Sequence, residues 1–283
     1  MGMVREPVVS GTFYPDDPKI LADNIRGYLR NAKFERIKGE IVGIVSPHAG
    51  YIYSGQVVAY GMKAVSMGSY DTVIVMGSSH REYFEGAAIM DAGRYRTPLG
   101  SVDIDEELAR AIMDENKLVF SDAEIHGPEH SLEVQIPFLQ TVLSGFKLVP
   151  MVIGSHEGDI CASLARAIYE GIRREGRRRH ILLVGSTDLS HYHSYADAMR
   201  LDKLVVDRLE TFDIQGMMED FNNEICEACG KGPIIVTMML SRLLGAGTSK
   251  VLKYTNSGDV SGDKGNVVGY MSAVFYRAEG AMA

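Results

Sequence analysis

Three histidines each follow a short apolar segment of the chain. His48 comes after Ile41–Val45, His80 after Thr72–Met76 and His191 after Ile181–Val184, each across a few small or polar residues. A neutral imidazole binds metal ions, and it also transfers protons near neutral pH. A lone histidine is more often an ordinary loop or core residue, but three repeats of one pattern predict a shared site.

These apolar segments have the length and the Ile and Val content of buried β-strands. The carboxyl ends of parallel strands lie along one edge of a sheet, and ligands bind in the crevice at that edge. Histidines remote in sequence therefore meet without close spacing. Further strands are predicted at Ala87–Met90, Leu148–Ile153, Val251–Tyr254 and Val267–Phe275.

Segments with helical periodicity separate the predicted strands. Apolar residues recur at helical spacing in three of them, at Leu21, Ile25 and Leu29, at Ile104, Leu108 and Ile112, and along Ile160–Ile172. Two or three more helices are predicted between Asp202 and Leu244, one of them opening near Pro233. The alternation predicts an α/β fold with a mostly parallel central sheet and helices on both faces. We expect residues 1–283 to form one domain.

Three other polar residues are weaker candidates. His156 follows the strand Leu148–Ile153, but it directly precedes a predicted helix start, where a polar residue has an ordinary capping role. His130 and Glu133 have the i, i+3 spacing of one helix face. This spacing is equally consistent with a pair that supports the histidine site or acts as an acid/base near it, and with the N-terminus of a surface helix, where acidic residues favour the helix dipole.

The chain has three cysteines, of which Cys226 and Cys229 form a C-x-x-C spacing. Alone, this spacing is weak evidence, because a zinc site usually needs a second pair and a thioredoxin-like motif follows a strand. Cys161 is predicted as a small core residue. The odd count, with no secretory signal, argues against a disulfide framework and predicts a cytoplasmic protein.

Charge and composition exclude several partners. The net charge of −8 disfavours nucleic acid and anionic membrane surfaces. No apolar stretch approaches the roughly 20 residues of a membrane helix. The glycine-rich segments match neither a P-loop nor a dinucleotide fingerprint. We therefore expect a small molecule or a peptide as the partner.

Several short motifs occur in order along nearly the whole chain and together resemble the Memo family. They are Ser46–Tyr51, Gly77–His80, Tyr95–Leu99, His130–Glu133, Ser186–Asp188 with His191, and Cys229-Gly230 with Pro233, flanked by Gly11–Tyr14 and Val267–Tyr270. Each motif alone is modest, but the ordered set is highly specific.

Memo proteins are similar to class III extradiol ring-cleaving dioxygenases, which are non-haem iron enzymes. The resemblance implies an α/β fold, His48 and His80 as metal ligands, and His191 as the catalytic acid/base with Asp188 beside it, able to orient it or pair with a ring nitrogen. The dioxygenases complete their ligand set with a carboxylate. The Memo family has a cysteine there, and Cys229 matches it.

A thiolate ligand is soft and redox-active, so the implied metal is non-haem iron, with copper or zinc as alternatives. The first functional hypothesis is a metal-dependent oxidoreductase, with Tyr51 and Tyr53 as walls of the pocket. The second is a non-catalytic adaptor that binds a peptide or small ligand in the same cleft; phosphotyrosine peptides have been proposed as ligands in this family. A zinc hydrolase ranks third, because H-E-x-x-H is missing.

Overall fold

A mixed β-sheet forms the centre of the fold in a computed structural model of the chain, which describes residues 2–175 and 179–280. The strands are β1 Val4–Arg5, β2 Gly39–Ser46, β3 Thr72–Ser78, β4 Ala87–Ile89, β5 Arg94–Thr97, β6 Gly100–Asp103, β7 Val119–Ser121, β8 Lys147–Ile153, β9 Ile181–Ser186, β10 His191–His193, β11 Thr248–Asn256 and β12 Val267–Ala278.

Helices cover both faces of this sheet. They are α1 Pro18–Asn31, α2 Tyr51–Val65, α3 Glu106–Glu115, α4 Ala123–His126, α5 Ile136–Val142, α6 Gly158–Arg174, α7 Tyr195–Glu210, α8 Ile214–Asn222, α9 Lys231–Leu243 and α10 Gly258–Ser261, with a 3-10 turn at Glu133–Gln135. Two hydrophobic clusters fill the layers, one of them between the sheet and α3, α6 and α9, the other between the sheet and α1, α2 and α5.

The strand order of the central sheet is β10-β12-β2-β9-β3-β8-β4-β7, with β11 also paired to β12. The four interior strands β2, β9, β3 and β8 run parallel. The α/β fold predicted from the sequence is therefore confirmed. Strands β4 and β12 are antiparallel to their interior neighbours, and β1, β5 and β6 form a small separate sheet.

The predicted strands all fall within observed ones or overlap them closely, and the interval Asp202–Leu244 contains most of α7 and all of α8 and α9. Helix α9 begins at Lys231, two residues before Pro233, as a proline in the first turn requires. The periodicity places Ile104 in a helix, but α3 begins at Glu106 after the capping residue Asp105. Helix α2 was not predicted, since buried residues occupy most of its circumference and leave no apolar stripe.

Register brings the ends of the interior strands level with one another. Ser46 at the end of β2 is paired with Ser186 at the end of β9, and Met76 of β3 is paired with Gly185 of β9. The loops that carry His48 and His80 therefore leave the sheet on either side of the loop after β9. Within the described residues, no helix combines the length and apolar content needed to cross a membrane.

Candidate metal centre

Two histidines and a cysteine converge at the carboxyl edge of the parallel strands. One side-chain donor atom from each of His48, His80 and Cys229 lies within 4.8 Å of the others. The Sγ atom of Cys229 lies 3.2 Å from Nε2 of His48, and the ring centroids of His48 and His80 are 5.2 Å apart. His48 is buried, Cys229 is half-buried and His80 is exposed. The cluster predicted from the strand ends and from the resemblance is thus assembled.

The start of α9 brings Cys229 to the end of β9. The Gly230 amide donates to Thr187 Oγ1 at 2.9 Å, and the Cys229 amide donates to the Asp188 carbonyl at 3.2 Å. In return, the Asp188 amide donates to Cys229 Sγ at 3.2 Å. Cys226, by contrast, is fully buried in a hydrophobic cluster. The structure therefore brings Cys229 to the histidines and leaves Cys226 in the core.

Hydrogen bonds around Ser186 fix the tautomer of His48. The Ser186 hydroxyl donates its only proton to the Ser131 carbonyl at 2.7 Å, and it accepts from Gln135 Nε2 at 2.8 Å. Its contact with His48 Nδ1 at 3.1 Å must therefore be donated by the ring. This assignment follows from the network. It leaves the lone pair of Nε2 directed at Cys229 Sγ, where it can accept the thiol proton.

A carboxylate fixes the tautomer of His80. Glu129, which is buried, accepts from His80 Nδ1 at 3.0 Å and from the His80 amide at 2.8 Å. An ionised carboxylate only accepts hydrogen bonds, so Nδ1 carries the proton and Nε2 is the available donor atom. Burial lowers the pKa of His80, but the hydrogen bond and charge of Glu129 outweigh it and raise this pKa above its usual value.

His191 lies at the start of β10, outside the group of donor atoms that His48, His80 and Cys229 form, although its charge acts on His48. Its ring Nδ1 donates to the Leu189 carbonyl at 2.7 Å, which again leaves Nε2 free. Asp188 was expected to orient His191 or pair with its ring. The Asp188 carboxylate instead accepts the backbone amides of His48 at 2.8 Å and Ala49 at 3.3 Å. Burial raises the pKa of the Asp188 carboxyl to about 6. The positive charge of His191 acts in the opposite direction and lowers this pKa.

Burial keeps two of the donor groups uncharged. The pKa of His48 lies well below its usual value because the ring is buried and because His80 and His130 repel a second positive charge. Burial, and then the charge of Asp188, raise the pKa of the Cys229 thiol. A neutral imidazole is the form that binds a metal ion, and a thiol loses its proton when a metal binds.

The remaining predicted residues are distributed differently. His130 joins the ring cluster, 4.7 Å from His80 and 5.4 Å from His48 between ring centroids. Tyr53 is exposed on the first turn of α2. Tyr51 is not a pocket wall: it is a core residue whose hydroxyl donates to the Val134 carbonyl at 2.7 Å. His156 is exposed directly before Glu157, which caps α6.

The prediction that His130 and Glu133 share one helix face is wrong, because His130 precedes the 3-10 turn that begins at Glu133. Glu133 is fully buried rather than on the surface. Its carboxylate pairs with Arg5 and accepts the amide of Val8 at 2.9 Å. Glu133 thus anchors the N-terminal segment.

Sequence reasoning missed Glu129, Gln135 and Ser186. Each acts by contacting a residue at least 49 positions away in the sequence. Ser186 stands inside a motif that carries other predicted residues, and Glu129 directly precedes one, which was the available signal. No local spacing marks Gln135.

The fold and the site together define an α/β protein with a histidine and cysteine cluster at the carboxyl edge of its parallel strands. A family model described as Memo-like protein matches residues 5–274. The chain therefore belongs to the Memo-like family, as the ordered motifs indicated.

Related proteins agree with this assignment. A MEMO1 family protein of Methanopyrus kandleri is 37% identical to the chain and covers 97% of it and 100% of its own length. Another, of Methanothermobacter thermautotrophicus, is 36% identical and covers 95% and 99%. The crystal structure of an uncharacterised protein of Escherichia coli K12 aligns with a TM-score of 0.54 at 14% identity over 84% of this chain and 100% of that one, which shows a shared fold.

Proposed function

We propose that the protein binds one transition-metal ion through His48, His80 and Cys229 and uses it in an oxidation or reduction of a small molecule. The observation that carries the proposal is the separation of Cys229 Sγ and His48 Nε2, 3.2 Å. Metal bonds of about 2.1 Å to nitrogen and 2.3 Å to sulfur would hold two such ligands roughly 3.1 to 3.6 Å apart.

The donor set suits iron first, with copper or zinc as alternatives. Imidazole binds all three metals, and a thiolate ligand favours the softer and redox-active ones. A bound iron or copper ion would supply a one-electron redox centre with positions left for a substrate. His191 would serve as the proton acceptor, because the Leu189 carbonyl holds its Nδ1 and leaves Nε2 as the basic nitrogen, and because its charge acts on His48. Asp188 holds the loop that carries His48 in place.

A cysteine nucleophile with His48 as its base is less consistent with the electrostatics. Such pairs work as a thiolate beside a charged imidazole, and surrounding positive charge lowers the pKa of the thiol. Here burial lowers the pKa of His48 and raises the pKa of Cys229. Both shifts disfavour the ion pair and favour neutral donors that wait for a cation.

The test is metal binding by the full chain under anaerobic conditions. We expect one Fe²⁺ per chain in a titration followed by metal analysis, and a loss of affinity of at least roughly 100-fold in His48→Ala, which removes a donor atom. His180→Ala is the matched control, since His180 is an exposed residue before β9 at the other edge of the sheet.

Two outcomes would contradict the proposal. One is a wild-type protein that binds neither Fe²⁺, Cu⁺ nor Zn²⁺ stoichiometrically. The other is equal affinity in wild type and His48→Ala. A metal-free protein that binds a peptide saturably would favour the adaptor function in its place.

A further inference from the structure

Glu129 is a buried carboxylate whose oxygens face two of the clustered histidines. Its side chain is 2% exposed. Oε1 accepts from His80 Nδ1 at 3.0 Å and from the Ser131 amide at 2.8 Å, and Oε2 accepts from the His80 amide at 2.8 Å. His130 Nδ1 lies 3.3 Å from Oε1. One side chain thus holds both the backbone and the ring of His80.

These contacts bear on whether Glu129 is itself a metal ligand. Its oxygen lies close enough to nitrogens of His80 and His130 for the three to form a second metal-binding group. However, Oε1 faces the Nδ1 atom of His80 at hydrogen-bond distance and receives an amide proton as well. A metal at this oxygen would have to displace both hydrogen bonds. The observed partners fit a carboxylate that orients a histidine.

We propose that Glu129 is a positioning residue that holds His80 as the Nδ1-protonated tautomer, with Nε2 as its metal-binding atom. The effect on metal affinity rests on the proposed function, whereas the effect on the tautomer does not. A carboxylate behind a ligating histidine fixes the ring and increases the basicity of the opposite nitrogen. His48 has only the neutral Ser186 hydroxyl in the equivalent place. His80 is therefore the better electron donor of the two histidines.

The substitution Glu129→Gln tests this role with almost no change in volume. The carboxylate accepts three N–H groups on its two oxygens. An amide has one accepting oxygen, and its NH₂ group only donates. Whichever way the new side-chain amide is oriented, its NH₂ group faces at least one of these N–H groups. When the NH₂ group stands at the position of Oε1, its conflict with His80 is relieved if the ring moves its proton to Nε2, which blocks metal binding there, and the Ser131 amide loses its acceptor.

The experiment uses full-length protein with ¹⁵N-labelled histidine in two states. Long-range ¹H–¹⁵N spectra of the metal-free protein report the tautomer of His80, and titration with Zn²⁺ against a competing chelator gives the affinity. We expect Nδ1–H in the wild type, a shift toward Nε2–H in Glu129→Gln, and a loss of Zn²⁺ affinity of roughly 10- to 100-fold. Glu129→Asp keeps a carboxylate and should restore part of the Nδ1–H population.

Glu133→Gln is the matched control, because Glu133 is equally buried and lies in the same segment, yet binds the N-terminal residues. We expect this variant to lose stability without changing the His80 tautomer. A wild-type spectrum with Nε2–H at His80 would overturn the proposal even if Glu129→Gln did not fold. Three further results would overturn it: a folded Glu129→Gln in which both the tautomer and the Zn²⁺ affinity are unchanged, equal losses of affinity in both variants, or a second bound Zn²⁺ that Glu129→Gln removes.

The two proposals can fail separately. If the wild type binds no metal while Glu129→Gln shifts the His80 tautomer, Glu129 keeps its positioning role and the proposed metal site is wrong. If the wild type binds Zn²⁺ and Glu129→Gln changes neither tautomer nor affinity, the metal site stands and the role of Glu129 is wrong.

Discussion

The thiol at position 229 distinguishes this site from a histidine and carboxylate triad. Cys229 Sγ accepts the Asp188 amide at 3.2 Å and contacts His48 Nε2. An amide directed at sulfur stabilises the thiolate once the proton has left. Burial disfavours that loss in the absence of a cation, because it raises the pKa of this thiol. The thiol therefore keeps its proton in the absence of a cation, and under the proposed function it would lose that proton when a metal binds.

Replacing the two cysteines of the C-x-x-C pair one at a time tests which of them is a metal ligand and which is a core residue. We expect Cys229→Ala to lower Fe²⁺ affinity by at least roughly 100-fold, because one of the three donor atoms disappears. Cys226→Ala should keep the affinity and lower the free energy of unfolding by about 1 kcal/mol, since it removes one buried heavy atom from the core. Anaerobic titration and urea unfolding measure the two effects. Equal affinities in the two variants would contradict this assignment.

The sequence predicted the individual donor residues better than the residues that hold them in place by hydrogen bonds. His48 and His80 could be found because each follows a strand directly, and strand ends meet in a parallel sheet. Cys229 was reached through the family resemblance, since its loop precedes a helix and no strand pattern leads to it. Glu129 and Gln135 could not be assigned, because a hydrogen bond across 49 or 51 residues leaves no local spacing.

At the scale of elements, the site depends on how closely α9 approaches β9. A Cβ atom at Gly230 would lie 2.5 Å from Thr187 Cβ and 2.6 Å from the Ser186 carbonyl oxygen. Real Cβ atoms do not approach other heavy atoms so closely. The absence of a side chain at Gly230 lets the helix start reach the strand end, and this contact sets the position of Cys229 one residue earlier.

Gly230→Ala should therefore disturb the proposed metal site through the backbone. We expect α9 to move away from β9 and Fe²⁺ affinity to fall by roughly 10-fold or more, since a displacement near 1 Å misplaces a ligand. Gly27→Ala is the control, because a Cβ at Gly27 in α1 meets nothing within 4 Å. That variant should keep the affinity and gain about 1 kcal/mol of helix stability. Unchanged affinity in folded Gly230→Ala would refute the close-approach argument.

The elements themselves were largely predictable, with one informative exception. Buried parallel strands and one-sided helices have distinct periodicities, and those elements were identified. Helix α2 was missed because Val57, Val58 and Met62 are buried together with Tyr51 and Ser54 around its surface. A helix enclosed between other elements shows no polar face, so its period disappears from the sequence.

At the scale of the whole molecule, the sheet has a second polar centre at the edge opposite the site. Asp105 is buried beside the start of β3 and β8. Its carboxylate accepts from Thr72 Oγ1 at 2.6 Å, pairs with Arg179 before β9, and accepts the Leu108 amide at 3.3 Å as the cap of α3. The carboxylate thus joins the amino-terminal ends of β3 and β9 to a helix, and the Asp105 amide adds β8 by donating to the Leu148 carbonyl at 2.9 Å.

The charge of Asp105 should stabilise the fold in a pH-dependent way. Burial tends to raise the pKa of this carboxyl, but the hydrogen bonds of Thr72 and Arg179 outweigh it and hold the pKa below its usual value. The stabilisation is complete above the unfolded pKa of about 3.9 and is lost as pH falls through the lower folded pKa. We expect Asp105→Asn to lower the free energy of unfolding by about 2 kcal/mol at pH 7, and by less below pH 4.

Asparagine at this position can still cap α3, so the Asp105→Asn variant isolates the lost charge from the lost cap. Urea unfolding of wild type and variant at pH 7 and pH 3 measures the difference. Asp103→Asn is the control, because the Asp103 side chain is 65% exposed and its pair with Arg94 should contribute at most about 0.5 kcal/mol. Fe²⁺ affinity should be unchanged in Asp105→Asn, since the residue lies at the other end of the strands. A loss of stability equal at both pH values would show that shape, rather than charge, is what Asp105 supplies.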